Sequence, residues 1–166
     1  MQVTRDNFPA VFPKFVELLQ TCDFYAIDEE MTGINVADKP ESITDTPEET
    51  YRAKREAASR YSIIQVGICL FHKDDDTNCG SAKKASYTAR PFNFILFPTH
   101  VEGMTNTGLS QDVVLSASSL AFLRRHGMDF QSWVYRGLAY CNAAGETVLR
   151  QVWKERLDAE AGNGCG

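Results

Sequence analysis

Long apolar runs are missing from this chain. Over its 166 residues nothing approaches the roughly 20 consecutive apolar residues that a membrane helix needs. The amino terminus, Met1-Gln2-Val3-Thr4-Arg5-Asp6, also lacks the basic region and apolar stretch of a secretory leader. A soluble protein that is not secreted is expected. Paired cysteines are missing too. Cys22, Cys69, Cys79, Cys141 and Cys165 are odd in number and scattered with no Cys-x-x-Cys, which excludes a zinc knuckle and a disulfide framework and suits a reduced intracellular protein. There is no excess of positive charge. With 17 Lys and Arg against 22 Asp and Glu the net charge is −5, so a broad electrostatic footprint for nucleic acid is excluded and any such contact must be local. The sequence also has no internal repeat and no glycine fingerprint for a dinucleotide.

What is present centres on Phe24 to Gly33, where an apolar run ends in three consecutive acids. Phe24, Tyr25, Ala26 and Ile27 are apolar on both faces, as in a central strand covered from both sides. Side chains two apart on a strand share a face, so Asp28 and Glu30 form a pair while Glu29 points away. Two carboxylates about 6 Å apart repel by about 3 kcal/mol at an effective dielectric near 20. In a buried strand that repulsion calls for a divalent cation, and hard oxygen ligands suit Mg²⁺ or Mn²⁺. In a solvated strand the same Asp-x-Glu is a charged end entering a glycine turn.

Around this strand the pattern is α/β, with 43% hydrophobic residues, enough for one compact domain. A first helix, capped by Thr4 or Asp6, runs to about Leu19 with Phe8, Val11, Phe12, Phe15 and Val16 at helical spacing; Pro13 interrupts its early turns. After a loop over 35–45, Thr46-Pro47-Glu48-Glu49 makes a capping box for a helix to about Arg60, with Arg52, Lys54, Arg55 and Arg60 on a solvated face. Ser62 to Phe71 is a second strand beside the first, with Gly67 marking a bulge or close backbone approach. Phe92 to Phe97 is a third, antiparallel to the second across a polar loop over 72–88 whose Asp74, Asp75 and Asp76 read as a solvated tip. Val101 to Val114 is irregular. A helix capped within Ser116 to Ser119 ends in the basic turn Arg124-Arg125-His126 before Gly127, Asp129 caps another with Trp133 in the core, and a last helix covers about 145–160 before a tail over 161–166.

The segments Phe-Tyr-Ala-Ile-Asp-Glu-Glu-Met-Thr-Gly-Ile (24–34), Asp-Thr-Pro-Glu-Glu-Thr-Tyr (45–51), Ile-Ile-Gln-Val-Gly-Ile-Cys (63–69), Arg-Pro-Phe-Asn-Phe-Ile-Leu-Phe-Pro (90–98), Ser-Ser-Leu-Ala-Phe-Leu (118–123) and Gly-Met-Asp-Phe (127–130) occur in this order. Together they resemble the amino-terminal part of the poly(A)-specific ribonuclease family, deadenylases of the DEDD exonuclease superfamily. The resemblance implies a ribonuclease-H-like exonuclease fold. Here it would be incomplete, with about three mixed or antiparallel strands plus helices over 1–160, and with carboxyl-terminal strands missing. It makes Asp28 and Glu30 the first two of four acidic ligands for two Mg²⁺ ions, with Mn²⁺ as a substitute, that cut the last phosphodiester and release 5′-AMP. Met31, Ile34 and Leu120 match apolar positions around the terminal adenosine, and Met31 replaces a frequent aromatic.

The implied partner is the 3′ end of poly(A) RNA, with a homodimer as a further possibility, no membrane and no DNA. The implied location is the nucleus and cytoplasm. The third and fourth acids and the general-base histidine of the family lie in later motifs: His72, His100 and His126 sit in none of them, and Asp112 and Asp129 are the acids of later loops. Two readings follow. The chain is the first part of an exoribonuclease whose activity needs the rest, or it is a truncated, non-catalytic paralogue that binds RNA or protein. In either, the central strand is left with an open apolar edge.

Overall fold

The computed structural model describes residues 1–36, 42–74, 85–98 and 112–162. The chain divides into two compact units, one of residues 1–97 with 113–138 and the other of 98–112 with 139–166. The first holds β1 (Gln2–Val3), α1 (Phe8–Thr21), β2 (Phe24–Met31), α2 (Pro47–Arg60), β3 (Ile63–Lys73), β4 (Tyr87–Pro98), α3 (Ala117–Arg125) and α4 (Phe130–Arg136). Beyond them come β5 (Leu138–Tyr140) and α5 (Ala143–Gly162), so the described residues hold five strands where about three were expected. The two additions are two and three residues long, too short for a period of two to register.

In the main sheet the order is β1-β4-β3-β2. The expected pairs are there: β2 lies antiparallel to β3, and β3 antiparallel to β4. Gln2 and Val3 add a parallel edge against Asn93 and Phe94. Helix α1 begins after Asn7, whose Oδ1 accepts from the Thr4 amide at 2.8 Å, so neither Thr4 nor Asp6 caps it. Pro13 is accommodated inside α1; a proline removes one i→i−4 donor, and the helix is held by packing in exchange. The Phe15 ring meets Phe92 and Phe94 edge-on at 5.1 and 5.2 Å, in a cluster with Val3 and Leu70. Side chains paired across antiparallel strands share a face, so α1 covers the face that carries Leu70, Phe92 and Phe94. On the other face, Ile95 packs with Ile64, Leu123 and Trp133 from α3 and α4, confirming Trp133 as core. Each fully buried side chain of this kind contributes about 1.5–3 kcal/mol.

Two expectations are corrected. Gly67 is not a bulge: it pairs in register with Asp28 and Asn93. The irregularity falls between the Glu30↔Gln65 and Met31↔Ile63 pairs. There β3 carries one residue more than β2, Ile64, which is fully buried. An inserted residue turns the strand locally, and here it drives an isoleucine into the core.

The second correction concerns β2 itself, expected to be central and buried. It is the terminal strand of the sheet, with Tyr25 and Ile27 55% and 61% exposed. Apolar patterning records the burial a strand calls for, not which segment supplies it, and among the described residues β2 has β3 as its single neighbour. An apolar open edge pairs with other chains unless charge blocks it. The isolated chain is therefore expected to associate, and Ile27→Lys to shift it toward monomer in sedimentation velocity; a wild type that already sediments as a monomer at micromolar concentration would contradict this.

Candidate functional site

The end of β2 is fixed by a buried knot of hydrogen bonds. Thr32, fully buried, donates its amide to the Ser62 carbonyl at 2.9 Å and accepts from the Ser62 amide on its hydroxyl at 3.0 Å. The Thr32 carbonyl accepts from the Ser116 amide at 2.8 Å. One residue thus ties the acidic strand to the start of β3 and to the start of α3. The next residue, Gly33, lies under the ring of Tyr61, where a Cβ would come within 2.4 to 2.6 Å of ring carbons. Tyr61 is 8% exposed and has no room to retreat. Its hydroxyl donates to the Asn35 carbonyl at 3.0 Å, pinning the turn over 33–35.

The knot builds a cleft of about 290 Å³ lined by Glu30, Met31, Ile34 and Asn35 from the strand end and turn, and by Ser116, Ser118, Ser119, Phe122 and Leu123 from α3 and its approach. Of the residues expected from the sequence, Glu30, Met31 and Ile34 meet here. Asp28 stands two residues back on the same face as Glu30, since the register is regular from Phe24 to Glu30. Leu120 does not join them: it lines a separate groove with Leu115, Ala117, Ala121, Arg124, Phe130 and Trp133. Positions 119, 122 and 123 share one side of the helix and 117, 120, 121 and 124 another, so Phe122 and Leu123 wall the cleft. Sequence reading placed both on the helix and gave neither a role in the site. The available signal was a phenylalanine one helical turn beyond three serines; it is 52% exposed.

Other expected roles resolve into structure. The Ser116 hydroxyl pairs with that of Ser118 at 2.9 Å and does not cap α3. His72 joins β3 to α1, its Nε2 lying 3.0 Å from the Leu18 carbonyl. Asp129 caps α4 by accepting from the Ser132 amide at 2.9 Å and hydroxyl at 2.7 Å, and these bonds hold its carboxyl below the usual range. Asp75, Asp76, His100 and the end of the tail, 163–166, lie outside the described residues.

The acid pair has an electrostatic signature. The Glu30 carboxyl is pushed above its ordinary value, first by desolvation and then by the charge of Asp28, with His126 pulling it back. Among the described residues no third His, Cys, Asp or Glu joins them in a metal-holding group. A carboxyl whose folded-state value is raised stabilises the fold at pH below its unfolded value, and that stability is lost as pH rises through the folded one. Glu30→Gln is therefore expected to raise unfolding free energy in chelator at about pH 7, with the gain vanishing by about pH 3; a constant gain at both would contradict it. The glycines give a second contrast. Gly33→Ala must displace the buried Tyr61 ring and is expected to cost about 1–3 kcal/mol. At Gly67 a Cβ meets Asp28 atoms at 3.8 and 3.9 Å, ordinary contact, so Gly67→Ala should be neutral or stabilising by up to about 1 kcal/mol. Urea unfolding of the two variants reads both.

Comparison with known proteins gives the family and the fold. The chain matches the CAF1 family ribonuclease over residues 3–164. It is 32% identical over 99% of its length to the poly(A)-specific ribonuclease PARN of Danio rerio, and 31% identical over 94% to the poly(A)-specific ribonuclease PNLDC1 of Mus musculus. It spans 24% and 29% of those two proteins. In fold it is similar to S. pombe Pop2p, solved in a form with Mg²⁺ and Mn²⁺ bound, with a TM-score of 0.54 and 19% identity over 82% of this chain and 47% of that one. The likeness supports the ribonuclease-H-like fold over the part of the chain it covers. From the six ordered segments, the α/β sheet and the match across almost the entire length, the chain belongs to the CAF1 family of ribonucleases.

Proposed function

We propose that the chain carries the first two metal-binding acids and the terminal-nucleoside pocket of a poly(A)-specific 3′-to-5′ exoribonuclease that releases 5′-AMP. The observation behind this is the meeting of a carboxylate pair, Asp28 and Glu30, with an apolar-walled cleft at the end of one strand. The names of the relatives and the Mg²⁺- and Mn²⁺-bound state of Pop2p support it.

The residues present suit a hard divalent cation. The donors are carboxylate oxygens without thiolate or imidazole, and the repulsion that raises the proton affinity of Glu30 is relieved by a cation as it is by a proton. When bound, such an ion would polarise the scissile phosphate and lower the pKa of an attacking water. Asp28 and Glu30 would hold it. Met31, Ile34, Phe122 and Leu123 would exclude water around a base and sugar, while the Ser118 and Ser119 hydroxyls and the Asn35 backbone offer polar contacts at the rim. Phe122 takes the place in this pocket that the resemblance gave to Leu120.

The second reading, a non-catalytic module that binds the poly(A) end, is kept because among the described residues no third acid is grouped with Asp28 and Glu30 to hold a metal. Two experiments separate the readings. In a titration with Mn²⁺, the wild type is expected to bind at least about tenfold, or 1.4 kcal/mol, more tightly than Asp28→Asn with Glu30→Gln; equal titrations remove the metal site. Incubation of an oligoadenylate labelled at its 5′ end, with and without Mg²⁺, then asks whether the chain, and the longest reading frame that includes it, shortens the RNA one nucleotide at a time. Metal-dependent AMP release from that frame supports the enzyme, and retention of oligoadenylate without AMP release in any frame supports the binding module.

A further inference from the structure

The last turn of α3 holds a ring pair that the reading above leaves unused. The imidazole of His126 lies 4.0 Å from the Phe122 ring, centroid to centroid, with 31° between planes. Its Nδ1 is 2.8 Å from the Phe122 carbonyl oxygen. A carbonyl only accepts, so Nδ1 carries the hydrogen and donates it. The imidazole is thus held twice by the same residue, through its face to the ring and through its edge to the backbone four positions earlier.

Phe122 needs such support. It is 52% exposed on the outer surface of a helix, and an exposed aromatic side chain samples several rotamers. It nevertheless lines the cleft beside Glu30. The charge of His126 also acts on the Glu30 carboxyl, lowering its pKa. One side of the Phe122 ring is taken by His126, and the residue also lines the cavity with Met31 and Ile34.

We propose that His126 is a positioning residue: it fixes the Phe122 ring across the cleft, so that its free face is already presented to a purine base. The inference rests on reading the cleft as a nucleoside pocket and adds to it the device that orders one wall. Immobilising a side chain before the ligand arrives removes that cost from binding, and an aromatic pair contributes on a similar scale.

The test is the binding of 5′-AMP to the 166-residue chain, followed by NMR, with ribose 5-phosphate as the ligand that lacks a base. Wild type should bind 5′-AMP about three- to tenfold more tightly than His126→Ala. His126→Phe, which keeps the ring contact, should return affinity to within about twofold of wild type. His126→Asn, which keeps an edge donor for the Phe122 carbonyl but no ring, should behave like alanine. Binding of ribose 5-phosphate should be the same in all four. Restoration by Asn and not by Phe would reduce His126 to a helix cap and overturn the proposal, and so would equal affinity in wild type and His126→Ala while Phe122→Ala loses binding, an outcome that leaves the pocket standing. A wild type that binds no 5′-AMP overturns the pocket and the positioning role together.

Discussion

A single buried threonine sets the geometry on which everything else rests. Thr32, at the end of the acidic strand, exchanges hydrogen bonds with Ser62 at the start of β3 and accepts one from Ser116 at the beginning of the helix opposite. A polar side chain with no solvent contact must find partners within the protein or cost free energy. Thr32 finds them on Ser62 while its carbonyl takes Ser116. The carboxylates on one side of the cleft and the aromatic wall on the other therefore cannot drift apart independently. The tyrosine ring seated over Gly33 completes the clamp from the outside.

The acid pair illustrates a general tension between folding and chemistry. Side-by-side carboxylates oppose the folded state because each resists the ionisation of the other, and the partial desolvation of Glu30 adds to that opposition. The charge of His126 offsets only part of this, and the core elsewhere must compensate. It does so with two clusters on opposite faces of the sheet, one under α1 and one under α3 and α4. The second also supplies Leu123, so part of what stabilises the fold is the back wall of the site.

Much of this was legible in the sequence, for identifiable reasons. The capping box at Thr46 and Glu49 is a local device, and it forms as read, with Thr46 accepting from the Glu49 amide and Glu49 accepting from the Thr46 amide. The strand parity of Asp28 and Glu30 follows from a period of two that holds until the bulge. Legibility ended where distant parts decide the outcome. The side of α3 that faces the acids depends on the Thr32–Ser116 bond, so the sequence offered Leu120 for the cleft through the resemblance alone and gave Phe122 no role there. Gly67 was read as a bulge or a close backbone approach because glycine tolerates either, whereas the inserted residue is Ile64, which fills the core. The two-residue strand β1 leaves no periodic trace, and its place is fixed by Asn93 and Phe94, about ninety residues later.

The position of β2 at the margin of the sheet bears on how firmly the acids can be held. Among the described residues β2 is bonded along one side, and a ribbon of backbone so bonded flexes more readily than one bonded along both. A cation that tolerates little departure from octahedral order asks for a stiffer mount than this. Whatever polypeptide lies along the free side would lend the missing rigidity, and completing the sheet and tuning the affinity for the ion would then be one event.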